Sequence, residues 1–387
     1  MLRVAIVSDL LEEGWPSMDV IADMLTQELH VRHQANVSVR QLRPRFVRRF
    51  SRLRPRYTQG TLFNADRLLN RFLDYPRLLK ARKNEFDLLH IVDHSYSHLV
   101  LAAAPKQTVV TCHDLDAFRC LAEPHNEVRS WPFKRMTMNI LKGFRRASAV
   151  ACVSCATRDE VVRQRFVPAE RLTVNPNGVA ESFKHFPELC TDRRVSRLLG
   201  LPNSDRPEIL HVGSTIARKR IDVLLRVFAA LRRDVPSARL IRVGGAFSAT
   251  QIEMIHQMAL PCDSVVVLPF LNREELAAVY RRATLVTLPS EAEGFGFPVL
   301  EAMACGTPVV VSDIPALREV GGTIATYCEV GSLSSWVGAI LRLIGERRDS
   351  PEQWVERVVA GVRWAGCFTW KAYAERAVQL YKTTVTG

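Results

Sequence analysis

The stretch Pro289-Ser-Glu-Ala-Glu-Gly-Phe-Gly-Phe-Pro-Val-Leu-Glu-Ala-Met-Ala-Cys-Gly-Thr-Pro308 separates two apolar runs, each of which predicts a buried strand. Pro298 suits the first position of a helix, because its missing N–H would have no partner there. Gly306 suits the end of the same short helix. The stretch therefore predicts a strand, a glycine loop, a helix and a second strand.

The glycine loop Glu293-Gly-Phe-Gly296 is suited to an anion, because it directs backbone amides and the positive end of the helix at one point. Two carboxylates flank that point. Glu293 lies in the loop, and Glu301 lies about one turn into the helix. Amides for phosphate together with carboxylates for hydroxyls indicate a site for a sugar nucleotide.

The spacing Glu293-x7-Glu301, inside the frame Glu-Gly-Phe-Gly-Phe-Pro…Glu-Ala-Met-Ala-Cys-Gly, resembles the retaining glycosyltransferases of family four, also called glycosyl transferases group 1. The resemblance is dense from Glu208 to Val320 and thin before Leu88. It implies an α/β chain with the GT-B fold, in which two Rossmann-like, doubly wound domains face each other across a cleft that holds the donor. It also implies transfer of a sugar with retention at the anomeric carbon.

The stretch Glu208-Ile-Leu-His-Val-Gly-Ser-Thr-Ile-Ala-Arg-Lys-Arg220 predicts a strand, a glycine turn at Gly213 and a helix. Arg218 and Lys219 stand at the predicted helix start, where two cations can hold a diphosphate. The stretch resembles the family motif Gly-x4-Arg-Lys, although Arg220 stands where the family usually has Gly or Asn. The segment from Pro269 to Tyr280, with Phe270, resembles the one that lies near the base in the family. The donor-binding residues predicted in this way are Gly213, Arg218, Lys219, Phe270, Glu293, Gly294, Phe295, Gly296 and Glu301.

The first half of the chain carries a further candidate, His113, which directly follows the apolar run that begins at Thr108. Loops after the strands of α/β sheets commonly hold site residues. The stretch resembles the family pattern Thr-x-His-Asp-Leu, which implies that this histidine contacts a hydroxyl of the donor sugar. The predicted catalytic residues are therefore His113, Arg218, Lys219 and Glu293. The predicted acceptor-side residues are Gly14, His94 and Ser95.

Three short patterns could also suggest a metal: Cys152-Val-Ser-Cys155, the pair His94 and His98, and Asp114-Leu-Asp116. The cysteine pair lacks two further zinc ligands at a sensible spacing. The histidine pair is interpreted as part of a loop and helix start. The Asp-x-Asp match is interpreted as chance, because basic residues elsewhere can hold the diphosphate. We expect no metal and no cofactor, since the nucleotide sugar is a substrate.

A basic segment accounts for nearly all of the net charge of +13: from Arg40 to Lys83 there are 14 basic and 2 acidic residues. Such a segment indicates an anionic partner, which could be lipid head groups, phosphorylated acceptors or nucleic acid. The pattern over Arg45–Arg54, with Phe46 and Phe50 among arginines, predicts a short interfacial helix. A solvated loop is the alternative. The predicted membrane patch consists of Arg45, Arg48, Arg49 and Arg52.

The length of 387 residues predicts two domains. We place an acceptor-side domain at 1–185, a linker at 186–204 and a donor-binding domain at 205–368, with a closing helix at 369–387 that packs back on the first domain. There is no run of eighteen apolar residues and no secretory signal, and the nine scattered cysteines fit a reducing compartment. We expect a cytoplasmic protein that can lie at the inner face of the membrane.

The family resemblance thus implies a hexosyltransferase, with GDP-mannose as the first guess for its donor and a UDP-sugar as the second; the residues themselves do not specify the base or the sugar. Its acceptor would be a glycan or a lipid-linked sugar in the synthesis of cell-envelope polysaccharide or glycolipid. The alternative is a non-catalytic nucleotide or RNA binder that uses the arginine-rich segment. That segment lacks a repeated recognition module, so we expect no nucleic acid partner. A dinucleotide-dependent oxidoreductase is disfavoured, since no Gly-x-Gly-x-x-Gly follows the first strand.

Overall fold

The computed structural model describes residues 1–52, 60–103, 107–125, 127–201, 205–269 and 271–386. The chain forms two compact units. The first contains Met1–Gly178 and Trp370–Gly387, and the second contains Val179–Thr369. The segment expected to be a linker lies in the second unit, where Leu189–Leu199 forms a helix.

The first unit is built on a parallel sheet that has six strands among the described residues, in the order β2-β1-β3-β4-β5-β6. These strands are β1 (Leu2–Val7), β2 (Val37–Leu42), β3 (Leu88–Ile91), β4 (Gln107–Cys112), β5 (Ala149–Cys152) and β6 (Leu172–Val174). The three central strands β3, β4 and β5 are almost entirely buried, which explains their continuous apolar character. Because all neighbours are parallel, their carboxyl ends meet at one edge of the sheet.

The second unit repeats this architecture with a parallel sheet whose described strands follow the order β12-β11-β10-β7-β8-β9. They are β7 (Glu208–Val212), β8 (Arg239–Val243), β9 (Val265–Val267), β10 (Leu285–Leu288), β11 (Val309–Ser312) and β12 (Thr326–Cys328). The chain order reverses between β7 and β10, which is the topological switch point where doubly wound sheets bind ligands. The predicted pair of doubly wound α/β sheets is therefore confirmed.

Helices connect the strands and cover the sheets. Those of the first unit, up to the last strand of its sheet, are α1 (Pro16–Arg32), α2 (Thr61–Leu69), α3 (Tyr75–Arg82), α4 (Val100–Ala103), α5 (Arg119–Ala122), α6 (Trp131–Arg146) and α7 (Cys155–Arg163). Those of the second unit are α8 (Leu189–Leu199), α9 (Ile221–Asp234), α10 (Ala249–Gln257), α11 (Arg273–Arg282), α12 (Phe297–Ala304), α13 (Pro315–Gly321), α14 (Leu333–Asp349) and α15 (Pro351–Ala365). A π-turn over Asn70–Asp74 joins α2 to α3. No helix in the described part of the chain has the length and apolar character needed to cross a bilayer.

The closing helix α16 (Trp370–Thr386) belongs to the first unit. The hydroxyl of its Tyr381 lies 2.5 Å from Nδ1 of His90, a buried residue of β3. Nε2 of the same histidine lies 2.7 Å from the hydroxyl of Thr111 in β4. Because this polar chain is buried, each hydrogen bond also satisfies groups that would otherwise be costly to bury. The helix is thereby held against the middle of the sheet.

The arginine tract, residues 43–52, is not the expected interfacial helix; residues 53 and 54 of that prediction lie outside the described residues. The tract is an irregular segment whose backbone is held by two side chains from the Thr61–Asp74 region. Buried Asp66 accepts hydrogen bonds of 2.9–3.0 Å from the amides of Arg49, Phe50 and Ser51. Asn70 bonds both the amide and the carbonyl of Val47 at 2.8 Å. The prediction was wrong because these side chains take up backbone groups that a helix would pair internally.

The carboxylate of Asp66 is well suited to this role. Burial opposes its ionisation, but the hydroxyl of Ser51 and the three amides outweigh that penalty and lower the pKa of Asp66 to about 2. It therefore stays ionised at any ordinary pH and keeps accepting these bonds.

Much of the positive charge of the basic segment is compensated by acidic residues. The ion pairs are Arg43–Asp19 at 2.7 Å, Arg49–Asp74 at 2.8 Å, Arg67–Glu13 at 2.5 Å and Arg40–Glu85 at 3.0 Å. Phe46 stacks on Phe63 with ring centroids 5.4 Å apart, and the Arg48 guanidinium lies 5.1 Å from the Phe63 ring. Several of the arginines therefore support local structure as well as adding charge.

Candidate functional site

The central stretch of the sequence forms the loop after β10 and the helix α12. The helix begins at Phe297, so Pro298 is its second residue rather than its first, where a missing N–H is still tolerated. Gly296 caps the helix with φ of +105°, and a Cβ there would lie 2.7 Å from Cδ2 of Leu317. Only glycine fits this position without displacing a neighbour. At the other end Gly306, with φ of +78°, donates to the carbonyl of Met303 at 3.0 Å, as a helix end requires.

Arg218, Lys219 and Glu293 form one cluster. Nζ of Lys219 lies 2.5 Å from Oε1 of Glu293, and Nη1 of Arg218 lies 3.2 Å from Oε2. Ser290 also donates its hydroxyl hydrogen bond to Oε1 at 2.7 Å. The Glu293 side chain is only 6% exposed, so this carboxylate is shielded from water by the groups that neutralise it. The cluster carries a net positive charge of one, which suits an anionic ligand.

The backbone fixes the position of this cluster. Arg218 and Lys219 lie in a 3-10 turn just before α9, rather than within the helix start. The carbonyl of Arg218 accepts from the amide of Glu291 at 2.9 Å, and its guanidinium donates to the carbonyl of Ala292 at 2.9 Å. Arg220 follows with φ of +48°, a left-handed conformation that glycine and asparagine adopt most readily. The turn therefore needs that backbone shape whichever residue provides it.

A buried arginine that supports the same edge of the sheet was missed by the sequence analysis. Arg242 in β8 is fully buried, and Nη2 donates to the carbonyl of Gly213 at 2.9 Å. It also donates to the carbonyl of Gly245. Gly244 packs so closely on this loop that a Cβ would lie 2.2 Å from the Gly213 oxygen. Arg242 is thus a positioning residue for the glycine turn; a charged residue in the interior of a buried strand was the available signal.

Glu301 lies one turn into α12, where it is half-buried, and it accepts a hydrogen bond of 2.8 Å from the Tyr280 hydroxyl. Burial raises the pKa of Glu301 to about 7, although the Tyr280 hydrogen bond and the Arg273 charge act in the opposite direction. A carboxyl in this setting changes its protonation near neutral pH. Tyr280 was not predicted as a site residue, since its position on α11 is far from Glu301 in sequence.

The remaining predicted donor residues are adjacent in sequence and structure. Phe295 is buried, and its ring centroid lies 5.4 Å from that of Phe297. Gly294 lies between Glu293 and Phe295 in the same loop. Phe270 lies outside the described residues. The structure thus brings Gly213, Arg218, Lys219, Glu293 and Glu301 to the strand ends of the second sheet, while their roles stay predictions.

The predicted residues of the first unit gather at the carboxyl edge of its own sheet. Nε2 of His113 lies 2.6 Å from the Val92 carbonyl, and its amide points to Nδ1 of His94 at 3.5 Å. Burial lowers the pKa of His113, so its neutral form is favoured. Ser95 donates its amide hydrogen bond to Asp93 at 2.8 Å. Gly14 closes a 3-10 turn after β1 with φ of +70°.

Two buried aspartates at this edge were also missed. Asp9 follows β1 and Asp93 follows β3, which are neighbouring strands, so their carboxyls meet. Burial, followed by the negative charge of Asp93, raises the pKa of Asp9 well above its usual range. Burial also opposes ionisation of Asp93, but His94, His113 and Ser95 lower its pKa to about 2. Asp9 therefore ionises less readily than the neighbouring Asp93. Their matching positions two residues after a strand were the available signal.

The three metal-like patterns do not assemble into a site. Within the described ranges, no group of three or more His, Cys, Asp or Glu side chains could hold a metal ion. His98 instead lies with Nε2 2.9 Å from the carbonyl of Arg71, and burial lowers the pKa of its imidazole to about 3.

Comparison with known families decides which family this arrangement belongs to. Residues 196–358 match the family described as Glycosyl transferases group 1, and residues 18–183 match Glycosyltransferase Family 4. The chain belongs to the family-four glycosyltransferases. The first match contains both Arg218–Lys219 and Glu293–Glu301, and the second contains His94–His113. Apart from Gly14, the predicted site residues therefore lie inside a matched region of the family-four chain.

Relatives and solved structures agree with this family. The chain is 28% identical over 254 residues to the serotype-specific mannosyltransferase WbdA of Escherichia coli, which covers 61% of this chain and 30% of that protein. The chain spans about a third to about half of the length of the first curated relatives it matches.

Two solved structures match along nearly the whole chain. Sucrose-phosphate synthase of Thermosynechococcus elongatus matches with a TM-score of 0.75 at 20% identity, covering 99% of both chains. HepE of Anabaena in complex with UDP-glucose matches with a TM-score of 0.71 at 18% identity, covering 100% of both. Likeness at this identity shows the fold, which confirms the predicted GT-B class for this family-four chain.

In this family-four chain, the predicted role of Glu301 as a ribose ligand means that Glu301→Ala should raise the dissociation constant for a nucleoside diphosphate about 10- to 100-fold. A carboxylate that accepts hydrogen bonds from ribose hydroxyls contributes roughly 1.5–3 kcal/mol. Isothermal titration with GDP and UDP measures the change. Exposed Glu356→Ala is the matched control, and unchanged affinity in the Glu301 variant would contradict the assignment.

The raised pKa adds a pH dependence to the same contact. If Glu301 accepts hydrogen bonds from ribose hydroxyls as predicted, it does so as the ionised carboxylate, and protonation below about pH 7 removes that form. Affinity should therefore fall up to about tenfold as pH drops from 8 to 6. Glu301→Gln should lose the pH dependence that comes from Glu301. Its affinity should vary with pH only through the titration of the diphosphate ligand, which affects the wild type equally.

Proposed function

We propose that this chain transfers a hexosyl group from a nucleotide-diphosphate sugar to a glycan or lipid-linked acceptor, with retention at the anomeric carbon. GDP-mannose is the first candidate donor and a UDP-sugar the second. The mannosyltransferase relative supports the former, and HepE with UDP-glucose supports the latter. The product would belong to cell-envelope polysaccharide or glycolipid synthesis.

The observation that carries this proposal is the cluster of Arg218, Lys219 and Glu293 at the switch point of the second sheet. Breaking the glycosidic bond leaves negative charge on the departing diphosphate. Fixed cations in a partly buried site stabilise that charge without reorganising, because the loops already hold them in place. Arg218 and Lys219 have side chains only 14% and 13% exposed, so water screens them weakly.

The neighbouring residues complete the donor assignment. Glu301 would accept hydrogen bonds from ribose hydroxyls in its ionised form. Glu293 would exchange part of its contact with Lys219 and Arg218 for a hydroxyl of the transferred sugar. His113, with a neutral imidazole, is proposed to contact another hydroxyl of that sugar, while Gly14, His94 and Ser95 are proposed for the acceptor.

A panel of sugar nucleotides tests the proposal directly. Purified protein is incubated with GDP-mannose, UDP-glucose and other donors, and release of the nucleoside diphosphate is measured. Selective release from one donor is expected. Binding of nucleotides without release from any donor, even with crude glycan acceptors, would instead support the non-catalytic alternative. The anomeric configuration of a product, read by NMR, tests retention.

We propose that the transfer needs no divalent metal, since Arg218 and Lys219 can supply the positive charge that an ion would otherwise provide. Nucleotide release should therefore continue at more than about half its rate in excess EDTA. Abolished release that Mg²⁺ or Mn²⁺ restores would contradict this and direct attention to Asp114 and Asp116. Asp116→Asn is the variant that then distinguishes a ligand from a bystander.

We also propose that the enzyme works at an anionic membrane surface, as a lipid-linked acceptor would require. The arginine tract remains a candidate contact even though it is not helical. Val47 is 45% and Phe50 is 53% exposed, and Arg45 and Arg52 are exposed beside them. Apolar side chains among cations are typical of surfaces that lie in the head-group region.

A further inference from the structure

Helix α6 presents one face to the core of the first unit. Thr137, Ile140, Leu141 and Phe144 are buried on this side. Gly143 packs so closely against the backbone of an earlier segment that a Cβ would lie 1.9 Å from the carbonyl oxygen of Ser97. The helix is therefore fixed in its orientation, with its opposite face exposed.

The outer face of α6 combines cations with large apolar side chains. The residues spaced three or four apart along it are exposed: Trp131, Arg135, Met138, Lys142 and Arg145. Trp131 is 66% and Met138 is 49% exposed. The Arg135 guanidinium lies 5.4 Å from the Trp131 ring, so charge and aromatic surface are presented together. Val128, just before the helix, is 81% exposed.

The charge of this segment is largely uncompensated. Residues 128–146 contain six basic and no acidic residues. Among the ion pairs of the described residues, Arg129 alone in this segment has an acidic partner, Glu127 at 2.6 Å. The arginine tract differs, because Arg43 and Arg49 are paired with Asp19 and Asp74. Unpaired positive charge is thus also concentrated on α6, which lies outside the segment where the sequence charge is highest.

We propose that the outer face of α6 is the main contact of this protein with an anionic lipid bilayer. This rests on the membrane-surface part of the proposed function and names the element that provides it. Cations spaced along one helix face attract anionic head groups, and Trp131 enters the interfacial region where indole rings are stable. Val128 and Met138 favour a bilayer over a nucleic acid, because aliphatic groups cannot stack on bases but gain from burial in lipid.

Vesicle partitioning tests the proposal. The triple variant Arg135→Ser, Lys142→Ser, Arg145→Ser should lower the partition coefficient onto phosphatidylglycerol-rich vesicles by about 100-fold, the order of effect expected from removing three surface cations. The quadruple variant of the arginine tract, with Arg45, Arg48, Arg49 and Arg52 changed to Ser, should lower it clearly less, because Arg49 is already paired with Asp74 and Arg48 already lies against the Phe63 ring. Wild-type binding should weaken with salt and be absent on phosphatidylcholine vesicles.

Trp131 supplies a direct signal of contact. Its emission should shift to shorter wavelength on binding and be quenched by brominated lipid. Trp131→Phe keeps an aromatic side chain, so this variant should still bind vesicles. Its emission should lack the shift that Trp131 causes in the wild type. Nucleotide binding measured on every variant shows whether the fold and the donor site are intact.

Several outcomes would overturn the proposal. Undiminished vesicle binding by the α6 variant, a larger loss in the tract variant, equal binding to neutral vesicles, or no vesicle binding would each do so. If the α6 variant lost binding to single-stranded RNA while its vesicle binding stayed unchanged, α6 would be a nucleic acid surface instead. Vesicle binding through α6 in a protein that releases no nucleotide from any donor would uphold this inference and reject the proposed transferase.

Discussion

Replacing Lys219 with alanine should lower the turnover number of nucleotide-sugar transfer by about 10²- to 10³-fold, and Arg218→Ala should act similarly. Both cations lie where the departing diphosphate gains its charge, so they stabilise the transition state more than the bound donor. The dissociation constant for the donor should rise less than about tenfold. Steady-state kinetics together with titration of a nucleoside diphosphate separates the two effects.

Arg226→Ala is the matched control for this experiment. Arg226 is an exposed cation on α9, the helix that begins directly after Arg218 and Lys219. The control should keep normal turnover, because an exposed cation contributes little. Near-normal turnover in both the Arg218 and Lys219 variants would show that these two cations play no part in the leaving-group step.

Glu293→Ala should lower turnover by about 10²-fold while leaving binding of the free nucleoside diphosphate unchanged or tighter. Glu293 contacts Lys219 at 2.5 Å and Arg218 at 3.2 Å, so removing it leaves two cations without their shared carboxylate. A diphosphate is then attracted more strongly. The transferred sugar, however, loses a contact that the proposed mechanism requires.

Glu293→Gln distinguishes the two parts of this effect. The amide keeps an oxygen that accepts hydrogen bonds from Ser290 or a sugar hydroxyl, but it carries no charge. Its diphosphate affinity should resemble that of Glu293→Ala, while its turnover should be intermediate. A clear loss of diphosphate affinity in both variants would mean that Glu293 organises the two cations rather than meeting the sugar.

Strands and loops of the second unit could be predicted from sequence because their signals are local. The apolar runs on either side of the central stretch became β10 and β11, since buried parallel strands require continuous apolar character. Gly296 and Gly306 could be placed because each position has a positive φ that few other residues adopt. The start of α12 differed by one residue, and Arg218 and Lys219 lie in a turn before α9 rather than at its start.

The arginine tract could not be predicted because the groups that shape it lie elsewhere in the chain. Phe46 and Phe50 have helical spacing, yet Asp66 and Asn70 determine the backbone from more than a dozen residues away. The pairing of Asp9 with Asp93 and of Glu301 with Tyr280 was hidden for the same reason. Each contact depends on which strands and helices become neighbours in the fold, and a local sequence pattern does not predict that arrangement.

The control that Asp66 and Asn70 exert over residues 47–51 separates the shape of this segment from its surface. Their hydrogen bonds reach backbone atoms, which every amino acid except proline supplies in full. The exposed side chains of Arg45, Val47 and Phe50 can therefore be exchanged without altering the course of the chain. The surface chemistry of this segment can thus change by substitution while Asp66 and Asn70 keep its backbone in place.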